Sequence, residues 1–400
     1  MIFPKAIVII PTFNERESIP QTIAAVLKVA ETVTNWDIQI LVVDDTSPDK
    51  TYEVVAQIAQ KNPQVHLLLN PVKSGLGGAY LKGMDHAFNQ MLAKVVFEFD
   101  ADLSHDPEKI PAFLAAIDAG ADMVLGSRYI TGGSIPQNWG LHRKFLSVVG
   151  NFFIMVVLTD FRIKDWTSGF RAITKPVFDV VRPKLNSQRF AGYTFQIGFL
   201  FNSLRAGFKV VEVPFAFKDR TYGKSKIGPE YIVNNLLFVF KVRLAEIMNH
   251  RVFKFAVTGG LGAVTQLVSL QMLRLIFQPL IPTPIFGLIT SFQFATFWAI
   301  ELAVLTNFII SNLWTFSDRK LTAKQLPGKF VQFNLASAGS ILIQMAVAFL
   351  AERFIGLHQF NLPILNLKLD TGLIFGVVGI LIGMFWNFFA YSTFVWKSKK

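Results

Sequence analysis

VVFEFDADLSHDPEKI, residues 95–110, is an apolar run that stops at two carboxylates one residue apart, Asp100 and Asp102. The run is short and rich in Val and Phe, as a strand buried on both faces requires. Asp106 followed by Pro107 reads as a cap and first position of the next helix, so Asp106 belongs to structure. Asp100 and Asp102 have no such role. In extended backbone, residues i and i+2 point to one side, so both carboxylates can meet one hard cation. Oxygen donors of this kind suit Mg2+ or Mn2+, which keep waters and take further oxygens from substrate phosphates. Ser104, two residues on, offers another oxygen on that side. His105 is read as a surface or hydrogen-bonding residue, since no other histidine has metal-site spacing with it.

The flanking sequence repeats the same unit. Short apolar runs at 5–10 (KAIVII), 38–43 (IQILVV), 65–69, 95–99 and 121–125 alternate with helically spaced segments at 16–31, 51–61, 77–92 and 107–118. Strands alternating with helices predict a mostly parallel sheet covered on both faces. Its ligands are expected beyond the carboxyl ends of the strands. The polar clusters PTFNE (11–15), DDTSPD (44–49), NPVKSGLGG (70–78) and DADLSHD (100–106) each follow such an end. Asp44 and Asp45 stand where a ribose hydroxyl or base is read. Asn14 and Ser18 are alternative helix caps. SGLGGAYLKG lacks the G-x-G-x-x-G spacing of a dinucleotide site, and its small residues also permit close helix packing.

Beyond about residue 217 the character changes. Residues 229–249 are apolar but carry Lys241, Arg243 and Glu246, the pattern of an interfacial helix. Charge-free or nearly charge-free stretches at 255–273, 284–316, 330–350 and 371–396 predict four transmembrane helices. TNFIISNLWTF (306–316) and WNFFAYSTFVW (386–396) form a weak internal echo, as if two hairpins were related. Net charge is +12, and residues from 251 onward carry 12 Lys/Arg against 4 Asp/Glu. A basic excess within the greasiest part favours an anionic lipid surface over nucleic acid. The cationic 317–329 loop and the KSKK tail predict both chain ends on the cytoplasmic side. The N-terminus lacks a signal-peptide pattern. With no cysteine, disulfides and thiolate metal sites are excluded. Asn307, Asn312, Gln266 and Gln344 are expected to bond between helices, and Glu301 is an unusual acid within a span.

Basic residues recur in GSRY (126–129), RKFLS (143–147), SGFR (168–171) and DRTYGKSK (219–226), and are read as phosphate contacts. Taken with PTFNE, VVDDTSPDKT, GLGGAYLKGMDHA, DADLSHDP, GYTFQ and VPFAFKDRTYGKSK in that order, they resemble family 2 glycosyltransferases of the GT-A type over roughly residues 1–245. More narrowly they resemble the dolichyl- or polyprenyl-phosphate mannose synthases, and the C-terminal part resembles a GtrA-like membrane domain. The resemblance implies an α/β GT-A (Rossmann-like) catalytic domain over 1–228, juxtamembrane interfacial helices over 229–250, and an all-α four-helix membrane domain over 251–400. It also implies an integral membrane protein of a prokaryotic plasma membrane, with the catalytic domain cytoplasmic.

By the same resemblance, Pro11, Phe13, Glu15, Val43 and Asp45 would hold the nucleotide, and Asp100, Ala101, Asp102 and Ser104 the metal and donor diphosphate. Arg220 and Lys226 would clamp the phosphates, while Arg128, Arg143 and Ser147 would meet a lipid phosphate. The implied reaction moves mannose from GDP-mannose to polyprenyl phosphate with inversion and a divalent metal. A lipid monophosphate has its second pKa near about 6, so its oxygen is already an anionic nucleophile and no catalytic base is nominated. Asp165 is a positioning residue in this reading. A UDP-sugar donor and a membrane half that flips lipid-linked sugar are the rival readings.

Overall fold

The computed structural model describes residues 3–185, 193–219, 229–280, 291–356, 358–362 and 367–397. Residues Met1–Arg243 form one compact unit and Leu244–Lys400 another.

The first unit is built on a seven-stranded sheet: β1 (Lys5–Thr12), β2 (Asp37–Asp44), β3 (Val65–Leu69), β4 (Val95–Glu98), β5 (Met123–Ser127), β6 (Arg171–Thr174) and β7 (Val210–Pro214), in the order β3-β2-β1-β4-β6-β5-β7. All pairings are parallel except those of β6, which runs antiparallel to both β4 and β5. The helices are α1 (Ile19–Ala30), α2 (Thr51–Lys61), α3 (Gly75–Asn89), α4 (Ile110–Asp118), α5 (Leu141–Leu158), α6 (Lys175–Val181) and α7 (Tyr193–Arg205).

Side-chain alternation along the strands divides the core in two. Ile7, Ile9, Leu41, Val43 and Val96 face a cluster that takes in Met84 and Phe88 of α3, Ile154 of α5 and Phe199 of α7. Ala6, Val8, Ile10, Ile40, Val42, Val95 and Phe97 face the other, with Ile23 of α1, Val55 of α2 and Phe113 of α4. Both faces are covered, so the central strands read as unbroken apolar runs. Gly83 explains part of the small-residue stretch. A Cβ there would lie 2.7 Å from Cγ2 of Ile9 and 3.0 Å from Cγ2 of Val43, so α3 packs close against β1 and β2 only with glycine at that position.

Helix α5 has no counterpart in the sequence expectations. Only Asn151, Ile154 and Leu158 are buried, while Leu141 is 84 % exposed, Phe145 64 % and Phe152 57 %. Helix α8 (Pro229–Asn249) begins in the same unit and ends in the next, and within the first unit its Phe240 ring lies 5.4 Å from the Phe153 ring of α5.

The second unit contains α9 (Arg251–Leu280), α10 (Ser291–Ile310), α11 (Leu326–Phe354), a two-stranded ribbon of β8 (Gln359–Leu362) and β9 (Leu367–Asp370), and α12 (Thr371–Ala390). Among the described residues, Leu141–Leu158, Arg251–Leu280 and Phe297–Thr315 are long and apolar enough to cross a bilayer. The sequence echo has a structural meaning. Both α10 and α12 end in a π-helical turn, Ser311–Thr315 and Tyr391–Val395. Phe308, Phe316, Phe333, Tyr391 and Trp396 gather around these two turns. Oδ1 of Asn312 accepts from Nε1 of Trp396 at 3.1 Å and from the amide of Leu321 at 2.8 Å, a bond between segments as expected. The Gln344 side chain lies outside the described residues.

Candidate active site

The loops after β1, β2 and β4 make one rim, and each contains a residue in the left-handed region: Asn14 (φ 59°), Thr46 (φ 53°) and Leu103 (φ 60°). For Thr and Leu that conformation is strained, and such strain collects where surrounding structure fixes a functional shape. Strand β4 ends at Glu98 and residues 101–103 form a turn. The i/i+2 argument for extended backbone therefore does not apply to Asp100 and Asp102. The negative charges of both bear on the same two buried groups, the Tyr80 phenol and the His105 imidazole.

Asp44 moves from candidate to framework. It is fully buried, and its Oδ2 accepts from Thr12 Oγ1 and Ser47 Oγ, each at 2.7 Å, tying the β1 and β2 ends together. Asp45 keeps its place on the rim. Asn70 Nδ2 donates to it at 2.7 Å, and the Ser74 and Gly75 amides at 3.1 and 3.2 Å, so its charge sits on the N-terminus of α3. Phe13 has Lys73 Nζ 3.5 Å above its ring. Glu15 accepts from Ser18 Oγ at 2.9 Å, so neither Ser18 nor Asn14 caps α1 through its side chain. Pro11 and Val43 lie opposite each other in the β1–β2 register, Val43 fully buried. Asp106 caps the following turn by accepting from the Glu108 amide at 3.2 Å, as the sequence implied.

The basic residues separate sharply. Arg171 of SGFR is fully buried beside Glu98, with Nε 4.0 Å from the carboxylate. It lies on β6, a central strand, so the sequence reading of it as a phosphate contact is wrong. Burial, against the pull of Arg171, pushes Glu98 up to about 7. Arg128 is also buried. Its Nε and Nη2 grip Asp165 at 2.7 Å each and Nη2 reaches Thr167 Oγ1 at 2.7 Å. Arg143 stands at the start of α5, stacked 3.8 Å over the Trp139 ring and 3.3 Å from Asp219. Ser147, one turn later, bonds the Tyr129 hydroxyl. Asn151, the next along that stripe, donates to the Ser147 carbonyl at 2.9 Å and to Thr167 Oγ1 at 3.3 Å. The structure thus brings Arg128, Arg143 and Ser147 into one neighbourhood. Arg220 and Lys226 lie outside the described residues.

Sequence reasoning missed Tyr80, Lys73, Trp139 and Asn151; the first two lie inside the quoted glycine-rich stretch but were given no role there, and the last two have no motif around them. Of the two roles read for His105, surface or hydrogen-bonding, the second holds: the residue accepts from the Asp100 amide and is buried among Phe99, Phe170 and Phe215, with Phe170 stacked at 5.0 Å. Ser104 is buried too, and its amide donates to Asp102 Oδ1 at 3.1 Å.

As a metal site the donor set is sparse. No group of three or more His, Cys, Asp or Glu that could cage an ion is present among the described residues. Two rim carboxylates, one of them with a side chain 37 % exposed, fit a hard cation that completes its shell with waters and diphosphate oxygens. They do not fit a structural zinc.

Residues 7–182 match the model of glycosyl transferase family 2, and residues 254–396 match the GtrA/DPMS transmembrane domain. A dolichol-phosphate mannosyltransferase of Pyrococcus furiosus is 31 % identical over 369 residues, covering 92 % of this chain and 96 % of that one. A polyprenol monophosphomannose synthase of Mycolicibacterium smegmatis is 40 % identical over 56 % of this chain and 81 % of its own. An undecaprenyl-phosphate mannosyltransferase of Micrococcus luteus is 37 % identical over 56 % and 88 %. A mostly parallel sheet with a polar rim, an acidic turn after β4 and a separate apolar helical unit later in the chain all agree with these matches: the chain is a family 2 glycosyltransferase carrying a GtrA/DPMS transmembrane domain.

Proposed function

We propose that this glycosyltransferase moves mannose from GDP-mannose to a polyprenyl or dolichyl phosphate at the cytoplasmic face of the membrane, with inversion. The observation that carries the reading is the match to the Pyrococcus furiosus protein, which runs through both units rather than the sheet alone. Asp100 and Asp102, with Ser104 beside them, would hold Mg2+ or Mn2+. The metal, when bound, supplies positive charge to the diphosphate that leaves. Phe13, Asp45 and their neighbours Pro11, Glu15, Val43 and Ala101 line the nucleotide end. Arg220 and Lys226 are proposed to close on the donor phosphates.

The acceptor end rests on α5. Arg143 and Ser147 are four residues apart and share a helix face, next to the Arg128–Asp165 pair. The exposed Leu141, Phe145 and Phe152 give the same helix an apolar flank suited to a lipid surface. Its buried Ile154 and Leu158 lie in the sheet's core, which supports an interfacial position over a spanning one despite its apolar length. A lipid phosphate arriving along such a helix meets guanidinium and hydroxyl donors without leaving the bilayer. Its dianionic oxygen attacks the anomeric carbon, and the bond to the nucleoside diphosphate breaks on the opposite face. Transfer of labelled mannose from GDP-mannose to a polyprenyl phosphate by the purified full chain, with β-linked product, is the test. Exclusive use of a UDP-sugar would replace the donor, and transport without transfer would replace the reaction.

A further inference from the structure

Asp100 is held from two sides by residues that no motif reading assigned. Its Oδ1 accepts from the Tyr80 hydroxyl at 3.2 Å. Its backbone amide donates to Nδ1 of His105 at 3.1 Å. An Nδ1 that accepts is unprotonated, so a neutral His105 carries its proton on Nε2. That nitrogen lies 3.6 Å from Oδ2 of the same aspartate. Three of Asp100's polar atoms are therefore faced by two side chains. Both of those side chains are buried, at 0 % exposure for Tyr80 and 2 % for His105. Burial drives His105 below the ordinary histidine range and Tyr80 well above the ordinary phenol range.

Neither side chain is free to turn. The imidazole stacks on Phe170 and meets Phe99 and Phe215 edge-on. Tyr80 stacks on Phe195. Phenyl rings alone would fill this aromatic box at lower cost than an imidazole, because a buried polar ring must be matched by hydrogen bonds. What the imidazole adds is the acceptor for the Asp100 amide.

We infer that His105 and Tyr80 are the positioning pair of the metal site: they fix the backbone and the carboxylate of Asp100 before any cation arrives. The inference rests on the metal reading of Asp100 and Asp102. Partners of this outer kind set ligand orientation, and their loss weakens metal affinity about 10- to 100-fold.

The test uses the full chain in detergent, with Mn2+ alone as probe and the EPR signal of the free ion as readout. His105→Phe keeps the ring and removes the acceptor, and is expected to raise the Mn2+ Kd about 10- to 100-fold. Tyr80→Phe is expected to raise it about tenfold. His105→Asn returns an acceptor oxygen where Nδ1 stood and is expected to restore most of the affinity, which a purely structural role would not produce. Saturable binding by the wild type with an unchanged Kd in a folded His105→Phe overturns the inference alone. Absence of saturable Mn2+ binding in the wild type overturns the metal reading and the inference with it. Should His105→Phe not fold, nitrogen NMR of the wild-type imidazole decides: an Nε2–H tautomer supports the inference and an Nδ1–H tautomer overturns it.

Discussion

The rim of β1–β4 and the inner stripe of α5 both gather charge, but they fix it in different ways. On the rim, acids are held by uncharged donors, namely backbone amides, hydroxyls and the Asn70 amide, so their placement follows from the sheet and the loops that leave it. Asp45 on the N-terminus of α3 is the clearest case. Beside α5, charge is held by charge. Arg128 is buried against Asp165, and Arg143 is paired with Asp219. The first arrangement leaves carboxylates able to meet a cation. The second holds each guanidinium against a carboxylate, next to an apolar flank. On the proposed function, the first would serve a soluble nucleotide that comes to it, and the second a lipid phosphate at the membrane surface.

Four substitutions test that contrast, and the rim carries the largest effect. Asp102→Ala is expected to cut transfer about a thousandfold, since a metal supplies several kcal/mol of charge stabilisation. Initial rates with Mn2+ varied would measure it, and turnover within about tenfold of wild type would remove the metal from the rim. Asp165→Ala removes the carboxylate that grips the buried Arg128 guanidinium, a loss of about 3–5 kcal/mol. Thermal unfolding should therefore show a clearly lower Tm, and an unchanged Tm would mean that the pair does not organise the acceptor side.

Glu98→Gln probes the core between the two regions. The Glu98 carboxyl is raised to about 7 when folded, so its contribution to stability is complete below about 4.5 and declines as pH rises to about 7. That decline is at most about 3 kcal/mol. The variant should lose this slope, and a Tm–pH profile parallel to wild type would contradict the assignment. Arg143→Ala is the mildest. It removes one charge-assisted contact, and the acceptor KM is expected to rise about tenfold while the donor KM stays the same. An equal rise in both would deny α5 a separate acceptor role.

Much of the catalytic fold could be read in advance because its strands are buried on both faces and end in polar clusters. The periodic runs from Lys5 to Leu125 correspond to β1–β5 and α1–α4 with small shifts at the ends. What was not legible depends on tertiary position. Arg171 and Arg143 look alike in a basic run, yet β6 inserts one into the core and α5 presents the other at its polar end. His105 sits in an acidic tip whose neighbours suggest solvent. Phe170 and Phe215, distant in sequence, join Phe99 in burying it. Helix α5 was missed because RKFLS reads as a basic loop unless the apolar residues from 145 to 158 are taken with it. The hairpin echo was legible as TNFIISNLWTF and WNFFAYSTFVW, but the paired π-helical turns it encodes were not.

The central claim is a donor-to-lipid transfer, and donor choice tests it most directly. Purified full chain would be given polyprenyl phosphate, Mn2+ and labelled GDP-mannose or UDP-glucose in parallel. The account predicts lipid-phosphate mannose from the first and no comparable product from the second. Clear glucose transfer with no mannose product would contradict it.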